Sequence, residues 1–583
     1  ERLRASPQAT CIGGVLPQIH RVWCSIDNTL FLWDYNREDS LLEYPGIQDV
    51  ILDVICVERN PEIFVNKVTW MLYVVTKTVI NVLAVVTAKE LRLIKSDIEI
   101  PTDEVEINKL IALDNGRVFI GAEDGKVSEI SHTYSSWFSS TKKLKKHRIS
   151  GSVFTDVLPE FIKQVFRYRV KEMTVDSSRN ILYTLQTKPH KYLLEVHDLG
   201  ESGNLNRKIT SISSREIYQR LVNQNHRLLS VDPDRLRIVD ISAITLQQSQ
   251  KYHLLGITQN GIRVLFSFHE TVANFKSEFL SKRPTKQYSL TIKLPPDVVG
   301  ISRSIPSRVT SDKNTDFQKA FITEEGKLIL LEGNSKQTIT CIRKNLSRIA
   351  KLQYYPSSQV LDPNETVSMI EGSFEDILCL CEVSPGFRMQ DNLAELCNYK
   401  PRSQYRKLEP ARYSETLSVK ALNSLSNFVY VPSSELLVLT SKQLLRYTEV
   451  RPIDFLVEGL NKSCPEDEAQ VHSMLENYGA VHVCSMLLAL LSSPIKVRDK
   501  NQELNCPVSG NLKNKAFEAF KQIGNFEVRD PGMYGSRVGN PLVCMAENKA
   551  FYLHLGRILR PIWGEKLTHQ DSEINNQLEQ FTA

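Results

Sequence analysis

Short runs of strand-forming residues folded about a turn recur along the first three quarters of the chain, and this recurrence restricts the fold more than any other feature. Asp124-Gly125 lies inside VFIGAEDGKVSEI, Asn260-Gly261 inside LLGITQNGIRVLF and Glu325-Gly326 inside AFITEEGKLILL. A residue that tolerates positive φ followed by Gly suits a tight hairpin turn, and the flanks are rich in strand-favouring residues. Related strand pairs fall at NTLFLWDYN near Leu30, at Met71 to Val86, at Ile181 to Leu199 and at Phe428 to Tyr447, making about seven units. Hairpins repeated in this way, each with room for a further strand or two, predict a seven-bladed β-propeller. Polar stretches around Arg303 to Asp316 and Pro385 to Ser414 read as surface excursions between them.

After Val450 the apolar period changes from two to about 3.6. Pro452 suits a first helical turn, with Ile453, Leu456, Val457 and Leu460 at helical spacing behind it. Helix is expected to run on over Ala469 to Ser492 and again over Asn514 to Ile523. The expected organisation is therefore α+β and multidomain: a β-propeller over residues 1–450 and the first helices of an α-solenoid over 451–583. A chain of 583 residues exceeds what one hydrophobic core supports, which agrees with at least two units.

Composition narrows the chemistry. The 72 Lys and Arg nearly balance 67 Asp and Glu, for a formal net charge of +5, so no direct nucleic-acid binding is expected. Eleven cysteines, several inside apolar runs, fit free thiols in a reducing compartment. No CxxC pair, GxGxxG, HExxH or GxSxG occurs, and the histidines, His20, His253 and His482 among them, form no ligand-spaced cluster. Catalytic, cofactor-binding and metal sites are all expected to be absent, and no enzyme activity is expected. GAEDGKVS at Gly121 to Ser128 has glycines too closely spaced for a phosphate loop and is a hairpin turn. The most apolar stretch, Met71 to Ala88, carries Lys77 and Asn81 at its middle and is rich in β-branched residues, so it reads as a buried hairpin. The first residues, ERLRASPQATC, lack both an initiator Met and a signal-peptide core, as expected of a fragment.

One segment has the wrong period for a blade. From His147 to Arg167, HRISGSVFTDVLPEFIKQVFR places Phe154, Val157, Leu158, Phe161, Ile162, Val165 and Phe166 on one stripe of a helix. Lys142, Lys143, Lys145, Lys146 and Arg148 lie just upstream. Such a helix can pack on the flank of a propeller or lie at a membrane interface. Half-burial of seven apolar side chains supplies about 7 kcal/mol, before the cost of ordering the loop. Basic residues near anionic lipid and many copies on one ring would add to it.

Several stretches together resemble the large inner-ring scaffold nucleoporins of the 155/170-kDa class, core components of the nuclear pore complex. They are PQIHRVWCSIDNTLFLWDYN (Pro17 to Asn36), DNGRVFIGAEDGKVSEISH with the following SSWFS (Asp114 to Ser139), DSSRNILYTL with EVHDLG (Asp176 to Gly200), GITQNGIRVLFS (Gly256 to Ser267), IKLPPD (Ile292 to Asp297) and FYLHLGRILRPIWGEKL near the end. The resemblance implies an N-terminal seven-bladed propeller before a long α-solenoid, most of which lies beyond this chain. It also implies a membrane-binding amphipathic motif in a propeller loop just before DSSRNILYTL, where Ser150 to Phe166 sits. On this basis the expected partners are other inner-ring nucleoporins of scaffold and linker type, pore-membrane nucleoporins and the nuclear envelope membrane surface. The expected location is the nuclear pore complex, with roles in pore assembly, nucleocytoplasmic transport, protein transport and mRNA transport. A coat or tethering subunit of vesicle traffic is the alternative with the same architecture. A propeller hydrolase would need a catalytic constellation at the channel mouth.

Overall fold

Turn residues set the hairpins where the spacing places them. Gly125 (φ +76°) and Gly261 (φ +84°) hold the left-handed conformation that a side chain resists, and their flanking segments pair as adjacent antiparallel strands. The computed structural model describes residues 11–37, 40–59, 68–87, 91–113, 116–134, 142–150, 168–200, 207–246, 248–249, 251–268, 284–293, 316–323, 326–333, 337–344, 365–383, 434–461, 466–492, 496–497, 506–530 and 542–559. Of the stretch Arg303 to Asp316, read above as a surface excursion, residues 303–315 lie outside them, as do all of Pro385 to Ser414 and residues 428–433 of the seventh strand pair.

Among the described residues the chain before 450 forms seven antiparallel sheets. Six have four strands, over residues 11–44, 51–101, 107–150, 169–213, 238–293 and 317–374, and the last has three, over 377–448. In every sheet the strands pair in sequence order, so each is a meander whose first strand lies at one edge. Each predicted hairpin supplies neighbouring strands of one blade. Met71 to Thr87, for example, falls on Trp70–Thr76 and Val79–Thr87 of the second blade, with Leu72, Val74, Val82 and Val85 fully buried. Among the described residues no single helix is long and apolar enough to cross a membrane.

The arrangement of the core makes these seven sheets a propeller. Leu30 and Leu32 of blade 1 pack with Ile51 and Leu72 of blade 2, and Tyr73 and Val82 of blade 2 with Val118 of blade 3. Phe119 joins Leu182, Tyr183 joins Phe266, Leu255 joins Leu330, and Leu331 joins Val438, each contact lying between successive blades. The ring closes where Leu437 and Leu439 of blade 7 bury against Val22 and Tyr35 of blade 1. There Arg446 also donates to the Tyr35 carbonyl at 3.0 Å.

Polar side chains tie blade to blade at the loops. Arg117 makes a forked contact to Glu129 at 2.6 and 3.0 Å while donating to the Leu199 carbonyl of blade 4 at 2.8 Å. Arg179, fully buried with Asp176 at 2.6 Å, donates to the carbonyls of Ile244 and Ser249 beside blade 5, and the Ser178 hydroxyl accepts from the Leu246 amide. The DSSRN stretch is therefore a staple between blades 4 and 5.

One helix inside this part was not expected. Helix α1 (Ser214–Gln224) buries Ile217, Leu221 and Val222 in the core between blades 4 and 5. Its sequence signal is a capping box: the Ser213 hydroxyl accepts from the Glu216 amide, and Glu216 stands three residues on.

The helical part has its own core. Helix α2 (Pro452–Asn461) begins at Pro452 as its spacing predicts, and buried Arg451 grips Asp454 in its first turn with two contacts of 2.8 Å. The helix expected over Ala469 to Ser492 is instead two, α3 (Glu466–Tyr478) and α4 (Ala480–Ser492), set 119° apart. Gly479 (φ +79°) breaks it, its amide bonding back to the Leu475 carbonyl in a left-handed stop. Helix α5 (Gly510–Gly524) is capped by Ser509, and α6 (Ala546–Leu559) was not expected. Arg557 of α6 donates to Ser485 and contacts His482 Nδ1 on α4, each at 3.0 Å, while His554 meets Ser492 at 2.8 Å. Burial, aided by Arg557, pushes the His554 pKa down to about 4.

Replacing Arg179 by Ala leaves Asp176 buried and uncompensated and strips two carbonyls of their donor. We expect a loss of about 3 to 5 kcal/mol, read as a lower denaturation midpoint with unchanged far-UV circular dichroism at low denaturant. A midpoint equal to that of the unaltered protein would show that the staple carries no net stability.

Candidate functional site

A strand that lines the axis of a propeller runs close to its counterparts, and here six of the seven innermost strands share one irregularity near their start. Ile51, Ile107, Val170, Ile238, Phe317 and Ile377 each pair with the neighbouring strand, the next residue is skipped, and the one after pairs again. The bulged residues are Leu52, Asn108, Lys171, Val239, Gln318 and Leu378. The residues that resume pairing are Asp53, Lys109, Glu172, Asp240, Lys319 and Cys379. A bulge turns the strand and re-aims its side chains. Blade 1, which enters with Gly13 and Gly14, pairs without one.

These re-aimed side chains meet about a common axis. Burial raises the Asp53 carboxyl, the Val54 amide opposes this, and Lys109 of blade 3 and Lys319 of blade 6 pull it down while Glu172 of blade 4 pushes it up. Burial depresses the Lys109 amine, yet Glu172 at 3.0 Å leaves it raised overall. Asp240 accepts from the amides of Ile241 at 2.9 Å and Ala320 at 2.8 Å. Burial and the Glu172 charge nonetheless push its pKa up to about 7. Burial likewise raises the Cys379 thiol, so it is no ready nucleophile. Three carboxylates against two amines leave the axis nearly neutral. Among the described residues no three His, Cys, Asp or Glu side chains gather to hold a metal.

Beside this ring lies a cleft of about 360 Å³, lined by Lys171, Arg237, Val239, Gln259, Asp316, Phe317 and Gln318. Its floor is the bulges of blades 4, 5 and 6. Sequence reasoning missed it, because the pattern of an apolar residue, any residue, then a polar one is too short to stand out.

The residues predicted to contact membrane, Phe154, Val157, Leu158, Phe161, Ile162, Val165 and Phe166, all lie outside the described residues. Their chain ends are described. Lys142–Ser150 is the outermost strand of blade 3, and Arg169–Asp176 the innermost of blade 4, so the segment joins an outer edge to the axis of the next blade. Of the basic cluster, Lys146 is committed to blade 2, donating to Asp103 at 2.7 Å and to the Thr102 carbonyl at 3.4 Å. The isolated histidines sit in structural roles: His253 Nδ1 accepts from the Phe268 amide, and His20 Nδ1 lies 3.1 Å from the Tyr35 hydroxyl.

Residues 1–413 match a protein family described as Nup133 N terminal like. Nuclear pore complex protein Nup154 of Drosophila melanogaster is 30% identical over 277 residues, 46% of this chain and 20% of that protein. Nucleoporin NUP170 of Chaetomium thermophilum is 23% identical over 595 positions, 98% of this chain and 40% of that protein. The chain thus spans between a fifth and two fifths of these relatives. A crystal structure of the Chaetomium thermophilum Nup170 N-terminal domain in complex with Nup53 superposes with a TM-score of 0.68 over 98% of this chain and 76% of that one, at 19% identity. The likeness carries the fold, a seven-bladed propeller followed by helices.

An acid whose pKa is raised on folding stabilises most below its unfolded value, and that contribution fades as pH rises through the folded value. Asp240 should therefore weaken the propeller by about 2 kcal/mol between pH 5 and pH 8. Asp240→Asn loses one acceptor at every pH but removes this dependence. Its stability relative to the unaltered chain should rise toward pH 8 in denaturation measured at both values, and parallel curves would contradict the assignment.

Proposed function

The chain belongs to the nucleoporins of the Nup133 N-terminal-like family, and from that membership we propose that it works as a non-enzymatic structural subunit of the inner ring of the nuclear pore complex. The match over residues 1–413, with Nup154 and NUP170 as relatives, carries this reading. We divide its labour at residue 450: the propeller over 1–450, and over 451–583 the first part of a longer helical solenoid. The NUP170 relative's domain was crystallised with Nup53, which supports nucleoporin partners here; we propose that these include scaffold, linker and pore-membrane nucleoporins. Support for pore assembly and for transport of protein and mRNA follows from that position.

Contact with the nuclear envelope membrane is the finer part of the proposal. Its support is the seven-residue apolar stripe from Phe154 to Phe166, in a connection between an outer blade edge and the next inner strand. A period near 3.6 has no use inside a sheet of period two, so the stripe needs a surface other than a blade.

In liposome flotation with small anionic vesicles, Phe161→Asp with Phe166→Asp should abolish binding and leave the melting temperature unchanged, because charge on the inserting face opposes burial in lipid. Persistent flotation together with a melting temperature lowered by several degrees would assign the stripe to the protein core instead. The same double variant in a tagged full-length protein should still reach the nuclear rim through its protein partners.

A further inference from the structure

The cleft over the bulges of blades 4 to 6 is built from main-chain contacts. The Gln259 amide bonds the Arg237 carbonyl, the Asn260 amide bonds the Arg235 carbonyl, and the Phe317 amide bonds the Gln259 carbonyl. These fix the hairpin of blade 5 against the entry strands of blades 5 and 6. The Phe317 ring then lies over Gly261, where a Cβ would stand only 2.3 Å from it, so the aromatic wall is held in place by the absence of a side chain. Both walls belong to rigid elements.

The charges in the cleft do not cancel as those on the axis do. Asp316 is engaged by Arg235 at 3.9 Å. The guanidinium of Arg237 makes no hydrogen bond or ion pair among the described residues, and its Nε is shut off from solvent without an acceptor. Lys171, exposed at the rim, likewise makes none. Crowding around its amine lowers its pKa, and Arg237 facing it lowers it further, more than Asp240 or Glu172 restore. Two cations held near one another cost free energy, and an anion that joins them through the Arg237 Nη atoms, which unlike Nε are not sealed from solvent, offsets that cost.

We propose that this cleft is a docking site for an extended segment of a partner protein, which places one Asp or Glu carboxylate between Arg237 and Lys171. A guanidinium fork matches a carboxylate with two parallel hydrogen bonds. Val239 and Phe317 offer apolar wall to a neighbouring side chain, and the side-chain amide of Gln259 can meet a peptide backbone. Two cations beside a carboxylate suit a single negative charge better than a polyphosphate. The inference gives a location to the partner binding proposed above. Because the probes are short peptides, its failure would leave the family-based reading intact.

The test uses the full chain and a fluorescein-labelled pool of octapeptides, each with one Asp or Glu beside an aliphatic residue, against a matched Asn and Gln pool. Fluorescence anisotropy should show binding of the acidic pool only. Arg237→Gln should weaken it about tenfold or more, and Arg237→Lys should restore only part, since the charge returns without the fork. Lys171→Gln, at an exposed position where folding is not at stake, should also weaken binding several-fold. Inorganic phosphate and inositol hexakisphosphate serve as competitors. Equal binding of both pools, no binding of the acidic pool, or affinity unmoved by Arg237→Gln in a variant with unchanged melting temperature would overturn the proposal. So would inorganic phosphate or inositol hexakisphosphate that binds through the same two residues more tightly than any peptide, which would make the cleft a free-anion site.

Discussion

Everything in the first 450 residues depends on the seam between blade 7 and blade 1. A row of meandering sheets buries both faces of every sheet except the two at its ends, and those two are covered only if the row closes. Here the seam is made by Leu437 and Leu439 against Val22 and Tyr35, with Arg446 reaching the Tyr35 carbonyl. Full burial of such side chains contributes about 1.5 to 3 kcal/mol each, so even four of them matter in a fold whose net stability is about 5 to 15 kcal/mol. The strands that meet there are more than 400 positions apart, as the separation of 411 between Tyr35 and Arg446 shows. Closing so long a loop costs little more than closing one of half the length, but the closure must wait for all the blades between.

Closure also creates the axis. Seven entry strands brought around one centre leave little room for large side chains, and a regular strand would send alternate residues into that crowded space. The bulge repeated at Leu52, Asn108, Lys171, Val239, Gln318 and Leu378 re-aims the next residue. Five of the six residues so placed are charged. Their pairing, with Lys109 on Glu172 and Asp240 on the main chain, leaves the axis nearly neutral. Arg237 joins none of these pairs, and Asp240 and Glu172 only partly offset its effect on Lys171, so the cleft keeps a positive charge that the axis does not.

Much of the architecture was legible because hairpin turns have local chemistry. Gly125 and Gly261 announce their turns within four residues, and each of the predicted strand pairs falls in its own blade. Entry strands carry no such mark: their place is set by the neighbouring blade, and nothing in the local sequence around Glu172 of blade 4 or Lys319 of blade 6 reports that both will come near Asp53 of blade 2. Helix α1 was legible in principle through Ser213 and Glu216 but is short among strands. The break at Gly479 was hidden by apolar residues on both sides, where periodicity continues although the chain turns. The stripe from Phe154 to Phe166 is the reverse case, a signal plain in the sequence whose partner surface no local pattern names.

The stretches that carry the resemblance to inner-ring nucleoporins prove to be largely structural. In DNGRVFIGAEDGKVSEI, Arg117 and Glu129 lock blade 3 to blade 4; in DSSRNILYTL, Asp176, Ser178 and Arg179 lock blade 4 to blade 5; in GITQNGIRVLFS, Gly261 seats Phe317 of blade 6. Each solves the same problem, how to fix one blade against the next at a loop where the apolar core has ended. A family identified through such residues is identified through its ring. What distinguishes one member's contacts from another's then has to lie at side chains on which no blade depends, such as Arg237 and Lys171 in the cleft over the bulges. Such side chains are free to change without opening the seam on which the propeller rests.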